Sequence, residues 1–414
     1  MAKTGPMSSS GAISGTQRGP VFSQRVKKFA GESFNRRMIG FMLCRAWVYV
    51  SFFNAAMLIL ARDPTSTLHG IYLISLFSLI LTLVICALID RPLERVFMHG
   101  WARILPVALT VVGSILQAFA DDSTAWGNVV LLLSGAFTGF GSGVILLYWG
   151  RVYSDAGGPT SAAECSLAFL LATLLVPFFV LVPLWAQLSI LSVLPIASGI
   201  LLVREFDTLN HAPYAEHAAD SHAGRDGGDG APARKREIDH AGLVVLVKLS
   251  VSSLLFGSIV GIVRTLYTSQ VSGNGAFTTH LVLPGAALIA AIVVIGILLL
   301  ARRLDLAFTY RPVMIFMTAA LLILPLLHSN YYLTYLLAIS GYFCFEILNW
   351  VMLADITHRH NASAYRVYGF GRGMVTGGIL VGELVGLLLG RFADGIPTEM
   401  LYGISLVNTT IDQP

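Results

Sequence analysis

Long apolar stretches separated by short polar breaks dominate this chain. A helix needs about 20 mostly apolar residues to cross the hydrocarbon of a bilayer. Stretches of that kind run over 38–61, 68–89, 101–120, 127–150, 163–184 and 186–203. After a long polar break they resume over 242–263, 277–301, 310–328, 331–354 and 371–390, so the pattern predicts eleven spanning helices. The segment after Pro397 is short and holds Asn408, Thr409 and Thr410, which predicts either a weak twelfth crossing or a chain cut inside its last helix. The alternating segments of a transmembrane β-barrel do not occur. The expected fold class is an all-α integral membrane protein.

Composition agrees. Of 414 residues, 55% are hydrophobic and only 12% charged, with a mean hydropathy of +0.74. A soluble domain is about a quarter charged, so a soluble enzyme, a disordered chain and a disulfide scaffold are all excluded. The charges are also unevenly spread, with eight in 1–37 and thirteen in 204–240. The first stretch reads as a polar tail without the apolar core of a secretory signal. The second is rich in Ala, Gly, Asp and His, too polar to bury a core, and reads as a flexible linker. Its His211, His217 and His222 lack metal-ligand spacing and read as solvated. The domains expected are therefore a tail at 1–37, a six-helix bundle at 38–203, a linker at 204–241 and a second bundle at 242–414. Cys44, Cys86, Cys165 and Cys344 lie singly inside apolar stretches and read as buried thiols.

The net charge of +4 belongs to loops and reports orientation. With the N-terminus in the cytoplasm, the inside segments hold 21 Lys and Arg against 3 outside (Arg62, Arg264 and Arg391). The remaining three, Arg45, Lys248 and Arg372, fall within or at the edge of spans. This predicts a cytoplasmic N-terminus, with 204–240 also inside.

The two bundles look like copies of one unit. Arg45 and Lys248 lie 203 residues apart, Arg62 and Arg264 lie 202 apart, and Trp149 and Trp350 lie 201 apart, each pair at matching points of its span. Two parallel six-helix repeats about an axis normal to the membrane are the major facilitator arrangement. The loop IDRPLERVFMHGWAR, with Asp90, Arg91 and Arg95, resembles the acidic-basic motif of that superfamily, though its glycines are missing and Pro92 and Glu94 intrude. Ordinary positive-inside charge explains it equally well.

Ionisable groups inside a bilayer need a partner or a role. Arg45, Lys248, Glu346 and Glu383 stand out. In a major facilitator arrangement spans 1, 4, 7 and 10 line the central cavity, and Arg45, Trp149, Lys248, Glu346, Asn349 and Trp350 fall on them. They are the candidate ligand-binding residues, for an amphipathic or anionic small molecule. Two other readings stay open: Arg45 and Lys248 could snorkel to the interface, and the tryptophans could belong to an interfacial belt. Gly135, Gly139 and Gly143 in span 4, and Gly378, Gly382, Gly386 and Gly390 in span 11, recur every four residues and predict close helix packing.

No HExxH, GxSxG, Walker A or paired-carboxylate pattern occurs in a usable context, so no catalytic residue, metal or cofactor is expected. Four strings, GSGVILLYWGRVYS (141–154), LLFGSIVGIVRTLY (254–267), EILNWVMLADIT (346–357) and YGFGRGMVTGGILVG (368–382), resemble the membrane-embedded LuxR-type transcriptional regulators of bacteria. That resemblance implies a small-molecule sensor with a major-facilitator-like membrane half, placed in a bacterial inner membrane. It also implies DNA as a partner only through a C-terminal helix-turn-helix, which this chain does not contain. The alternative is a major facilitator secondary transporter of a small solute. The bilayer is a partner in both cases.

Overall fold

The computed structural model describes residues 34–53, 63–211, 240–271, 276–300 and 331–392, apart from 98, 157 and 361, with four isolated positions between 315 and 319. Every regular element among them is an α-helix. They are α1 (Arg36–Phe53), α2 (Pro64–Leu88), α3 (Asp90–Phe97), α4 (Gly100–Gln117), α5 (Ala125–Ser154), α6 (Gly158–Leu181), α7 (Leu184–His211), α8 (His240–Val271), α9 (Ala276–Leu300), α10 (Tyr331–Arg359) and α11 (Ala364–Phe392). Eight of the described helices are long and apolar enough to cross a bilayer. The chain is a multi-pass membrane protein.

The predicted spans recur with shifted ends. Helices α5, α8, α10 and α11 extend several residues beyond the apolar cores, because a helix continues into the headgroup region where polar side chains are solvated. Helix α7 likewise runs to His211, through the first eight residues of the predicted linker. Most of the predicted span 310–328, most of the linker, and everything after 392 lie outside the described residues. The loop with Asp90 and Arg95 is a short helix, α3. Asp90 in its first turn and Arg95 in its last complement the helix dipole. The ring of its Phe97 packs 4.6 Å from that of Tyr148 and 5.2 Å from that of Tyr365.

Helix pairing repeats across the two halves. Within the first, α1 packs on α6 and α2 on α5; within the second, α8 packs on α11 and α9 on α10. Between halves, α2 meets α11 and α6 meets α9. Exchanging α1 with α8, α2 with α9, α5 with α10 and α6 with α11 maps this set of contacts onto itself, as a pseudo-two-fold repeat requires.

The glycine stripes lie at the closest approaches. A Cβ on Gly139 would sit 2.3 Å from the Ser75 carbonyl oxygen, on Gly135 2.7 Å from Ile74, and on Gly143 3.0 Å from Leu79, all on α2. On α11, a Cβ at Gly378 would meet the Leu254 oxygen at 2.2 Å, at Gly382 the Ser258 oxygen at 2.1 Å, and at Gly386 Thr265 at 2.7 Å, all on α8. Gly257 and Gly261 of α8 face back onto α11 in the same way, completing a two-sided glycine seam.

Candidate functional site

The halves enclose a cavity of about 140 Å³. Its walls are mainly aromatic and aliphatic, drawn from α1, α2, α5, α8, α9, α10 and α11. Three charged side chains from three helices meet at one end of it: Arg45 from the middle of α1, Glu346 from α10 and Arg372 from α11. All three are buried, and Glu346 has no exposed surface.

Glu346 is shared. Arg45 donates through Nη2 to its Oε1, and Arg372 donates through Nη2 to the same oxygen. Arg372 also reaches Oε2 through Nη1 at 2.8 Å, so its fork holds both carboxylate oxygens. One carboxylate against two guanidiniums leaves one net positive charge on the cavity wall. Aromatic faces flank both cations: Arg45 lies 4.5 Å from the Phe169 ring centroid and Arg372 lies 5.4 Å from that of Trp350. The Nε of each arginine is buried with no hydrogen-bond partner.

Asn349, one turn along α10, ties this triad to α8. It accepts from Arg372 Nη1 at 3.4 Å and donates to Ser253 at 2.9 Å. Beyond the triad, towards the start of α1, rings packed mainly edge to face fill the space between the halves. Trp350 lies edge-on to Phe41 at 4.7 Å and Tyr153 at 6.0 Å, and Trp149 sits near both. Tyr368 lies against the bare face of Gly150, where a Cβ would be 2.6 Å from the ring.

A second charged cluster stands on the other side of the cavity. Arg264 of α8 donates to Glu383 of α11 at 2.8 Å, reaches the Phe52 carbonyl oxygen at 3.4 Å, and stacks 3.8 Å from the Tyr72 ring. His69 of α2 approaches the Glu383 carboxylate at 4.0 Å. Closer to the start of α1, Glu164 receives two bonds from Arg37, at 2.5 and 2.6 Å, and one from Asn35 at 2.7 Å. This fastens α1 to α6.

Several expected placements change. Lys248 is exposed on the outer face of α8 and does not reach the cavity. Its stem is long enough to carry the ammonium to water, and the second cation beside Glu346 is Arg372. Arg264 lies two turns inside α8 and is buried, so it is an ion-pair partner and not a loop charge reporting sidedness. Trp149 and Trp350 have no exposed surface, which removes them from any lipid-facing belt. They and Asn349 lie behind the cavity wall. The four cysteines are free and buried. Among the described residues no cluster of His, Cys, Asp and Glu could hold a metal ion.

No known protein family's profile matches the chain. No curated protein matches it in sequence. Solved structures do match it in shape. The human organic anion transporter MFSD10 (TETRAN) aligns over 91% of this chain and 98% of its own, at 15% identity and a TM-score of 0.57. A bacterial homologue of the iron transporter ferroportin, in an outward-facing state, aligns over 92% and 97%, at 15% identity and a TM-score of 0.59. The chain has the major facilitator fold. At this identity the likeness establishes the fold alone, and nothing in the comparisons supports a LuxR-type regulator.

Proposed function

We propose that this protein is a secondary transporter that moves a small organic anion by alternating access between its two halves. The observation that carries this reading is the net positive charge of the Arg45–Glu346–Arg372 triad on the wall of the inter-half cavity. A buried excess cation costs free energy unless something compensates it, and an anion in the cavity would do so. The ring-lined walls suit an apolar body attached to that anionic group. The named activity of one transporter of the same fold, organic anion transport, is consistent with this chemistry. The seal of Phe41, Tyr153, Trp149 and Trp350 would have to part for the cavity to open on that side.

The arginine and lysine asymmetry supports placing the N-terminus and 204–240 in the cytoplasm, and a bacterial inner membrane rests on the sequence resemblance alone. Moving Arg264 out of the outside count strengthens that asymmetry. The sensor reading would use the same cavity but rests on sequence resemblance only, and DNA as a partner has no support. The test is uptake of aromatic monoanions into proteoliposomes carrying the purified protein. Saturable uptake above that of empty vesicles, abolished when Arg45 and Arg372 are both replaced by Gln, is the expected result. Uptake indistinguishable from empty vesicles across carboxylates, sulfonates and phosphate esters would contradict it.

A further inference from the structure

We infer that Arg264 is a second recognition point, at the far end of the inter-half cavity from the triad, and that the ligand is an elongated monoanion. Its anionic head sits at Arg45 and Arg372, its apolar body fills the middle, and a neutral hydrogen-bond acceptor about 10 Å from the head meets Arg264. This deepens the anion reading above and rests on it.

Three helices measure the distance. Arg45 and Phe52 on α1, Glu346 and Ile339 on α10, and Arg372 and Ile379 on α11 all line the cavity, and each pair is seven residues apart. Seven residues are two turns of helix, so both members of a pair share a face and stand about 10 Å apart along it. Arg264 closes the far end of this run: its guanidinium reaches the Phe52 carbonyl oxygen and stacks on Tyr72, which also lines the cavity. Between the ends, the hydroxyls of Ser142 and Thr376 donate to carbonyl oxygens of their own helices, at 3.3 and 2.9 Å. Most of the remaining wall is rings and aliphatic chains, which suits an apolar body.

Arg264 can donate to a ligand without giving up its own carboxylate. It bonds Oε1 of Glu383 at 2.8 Å, while Thr265 donates to Oε2. Its contact with the Phe52 oxygen is long, at 3.4 Å, so an acceptor presented from the cavity at ordinary hydrogen-bond distance shares or displaces it. Charge balance fixes that acceptor as neutral. The triad carries one excess positive charge for the head, whereas Arg264 and Glu383 already cancel. A second anionic group there would leave an uncompensated buried charge.

The experiment is a calorimetric titration of the purified full chain in detergent with two naphthalene-2-sulfonates of one shape. One carries an acetyl group at C6, and the other an isopropenyl group there, in which a CH2 replaces the acceptor oxygen. The acetyl compound is expected to bind at least about tenfold more tightly. The preference should fall to about one in the double variant Arg264→Met with Glu383→Gln, which removes the ion pair as a unit. Should that variant not fold, the wild type decides with the same two groups moved to C4, off the long axis, where no preference is expected. Equal binding of the two C6 compounds overturns the second recognition point and leaves the anion site standing. A preference that survives in the double variant, or that recurs at C4, also overturns it. Absence of saturable binding by either compound overturns the anion reading itself, and this inference falls with it.

Discussion

Arg45 and Arg372 donate to the same oxygen of Glu346, Oε1, one from each half of the molecule. The triad is thus a fastening between the halves as well as the charged wall of the cavity, and its three members are not equivalent. Removing Arg45 leaves the neutral Glu346–Arg372 pair, with both carboxylate oxygens still held. Removing Glu346 leaves two buried cations facing each other.

Glu346→Gln is therefore expected to destabilise by roughly 3–5 kcal/mol and Arg45→Gln by clearly less. The double variant should recover part of the Glu346→Gln loss, so that the two changes are non-additive by more than about 0.5 kcal/mol. Thermal unfolding in detergent reads all three. Lys248→Ala, on the exposed face of α8, is the control and should fall within about 0.5 kcal/mol of the parent. Equal losses for Arg45→Gln and Glu346→Gln would contradict the shared-carboxylate geometry.

Gly382→Ala places a methyl group 2.1 Å from the Ser258 carbonyl oxygen, across the seam between α8 and α11. Backbone cannot yield as a flexible side chain does, so a loss of about 1–3 kcal/mol is expected. Gly377→Ala, five residues earlier in the same helix, has nothing within 4 Å of the added carbon and serves as its partner control. The two variants compared in one melting series check the seam.

Trp350→Ala empties the middle of the aromatic seal, where the ring contacts Phe41, Tyr153 and Tyr368. A buried tryptophan truncated to alanine costs about 3–5 kcal/mol, far more than a lipid-facing one at the interface would. Chemical accessibility of the buried Cys44 and Cys165 to a thiol reagent added in detergent should rise in the same variant. Unchanged stability and unchanged labelling would show that the rings do not seal this end.

The spans were legible because about 20 apolar residues in a row admit few alternatives to a membrane helix. Arg45 and Glu346 were legible for a related reason: charge in the middle of such a run is costly and invites a partner. The partner's identity was not. Arg372 lies at the start of its apolar stretch, in GFGRG, where a basic residue reads as an interfacial charge; only when α11 begins at Ala364 does it fall two turns inside the helix. Glu164 was hidden in the same way at the start of its span. Lys248 misled because sequence offset matched it to Arg45, whereas a shift of one or two residues rotates a helical side chain by 100–200° and turns it from the cavity to the lipid. Gly257 and Gly261 carried the four-residue spacing seen in α5 and α11 but formed only a pair.

The most direct measurement compares two ligands of one shape and opposite charge, 2-naphthalenesulfonate and the 2-naphthyltrimethylammonium cation, for binding to the purified protein. The excess positive charge of the Arg45–Glu346–Arg372 triad predicts saturable binding of the sulfonate, weakened at least tenfold in Arg45→Gln, and no measurable binding of the cation. Equal or tighter binding of the cation would contradict the account.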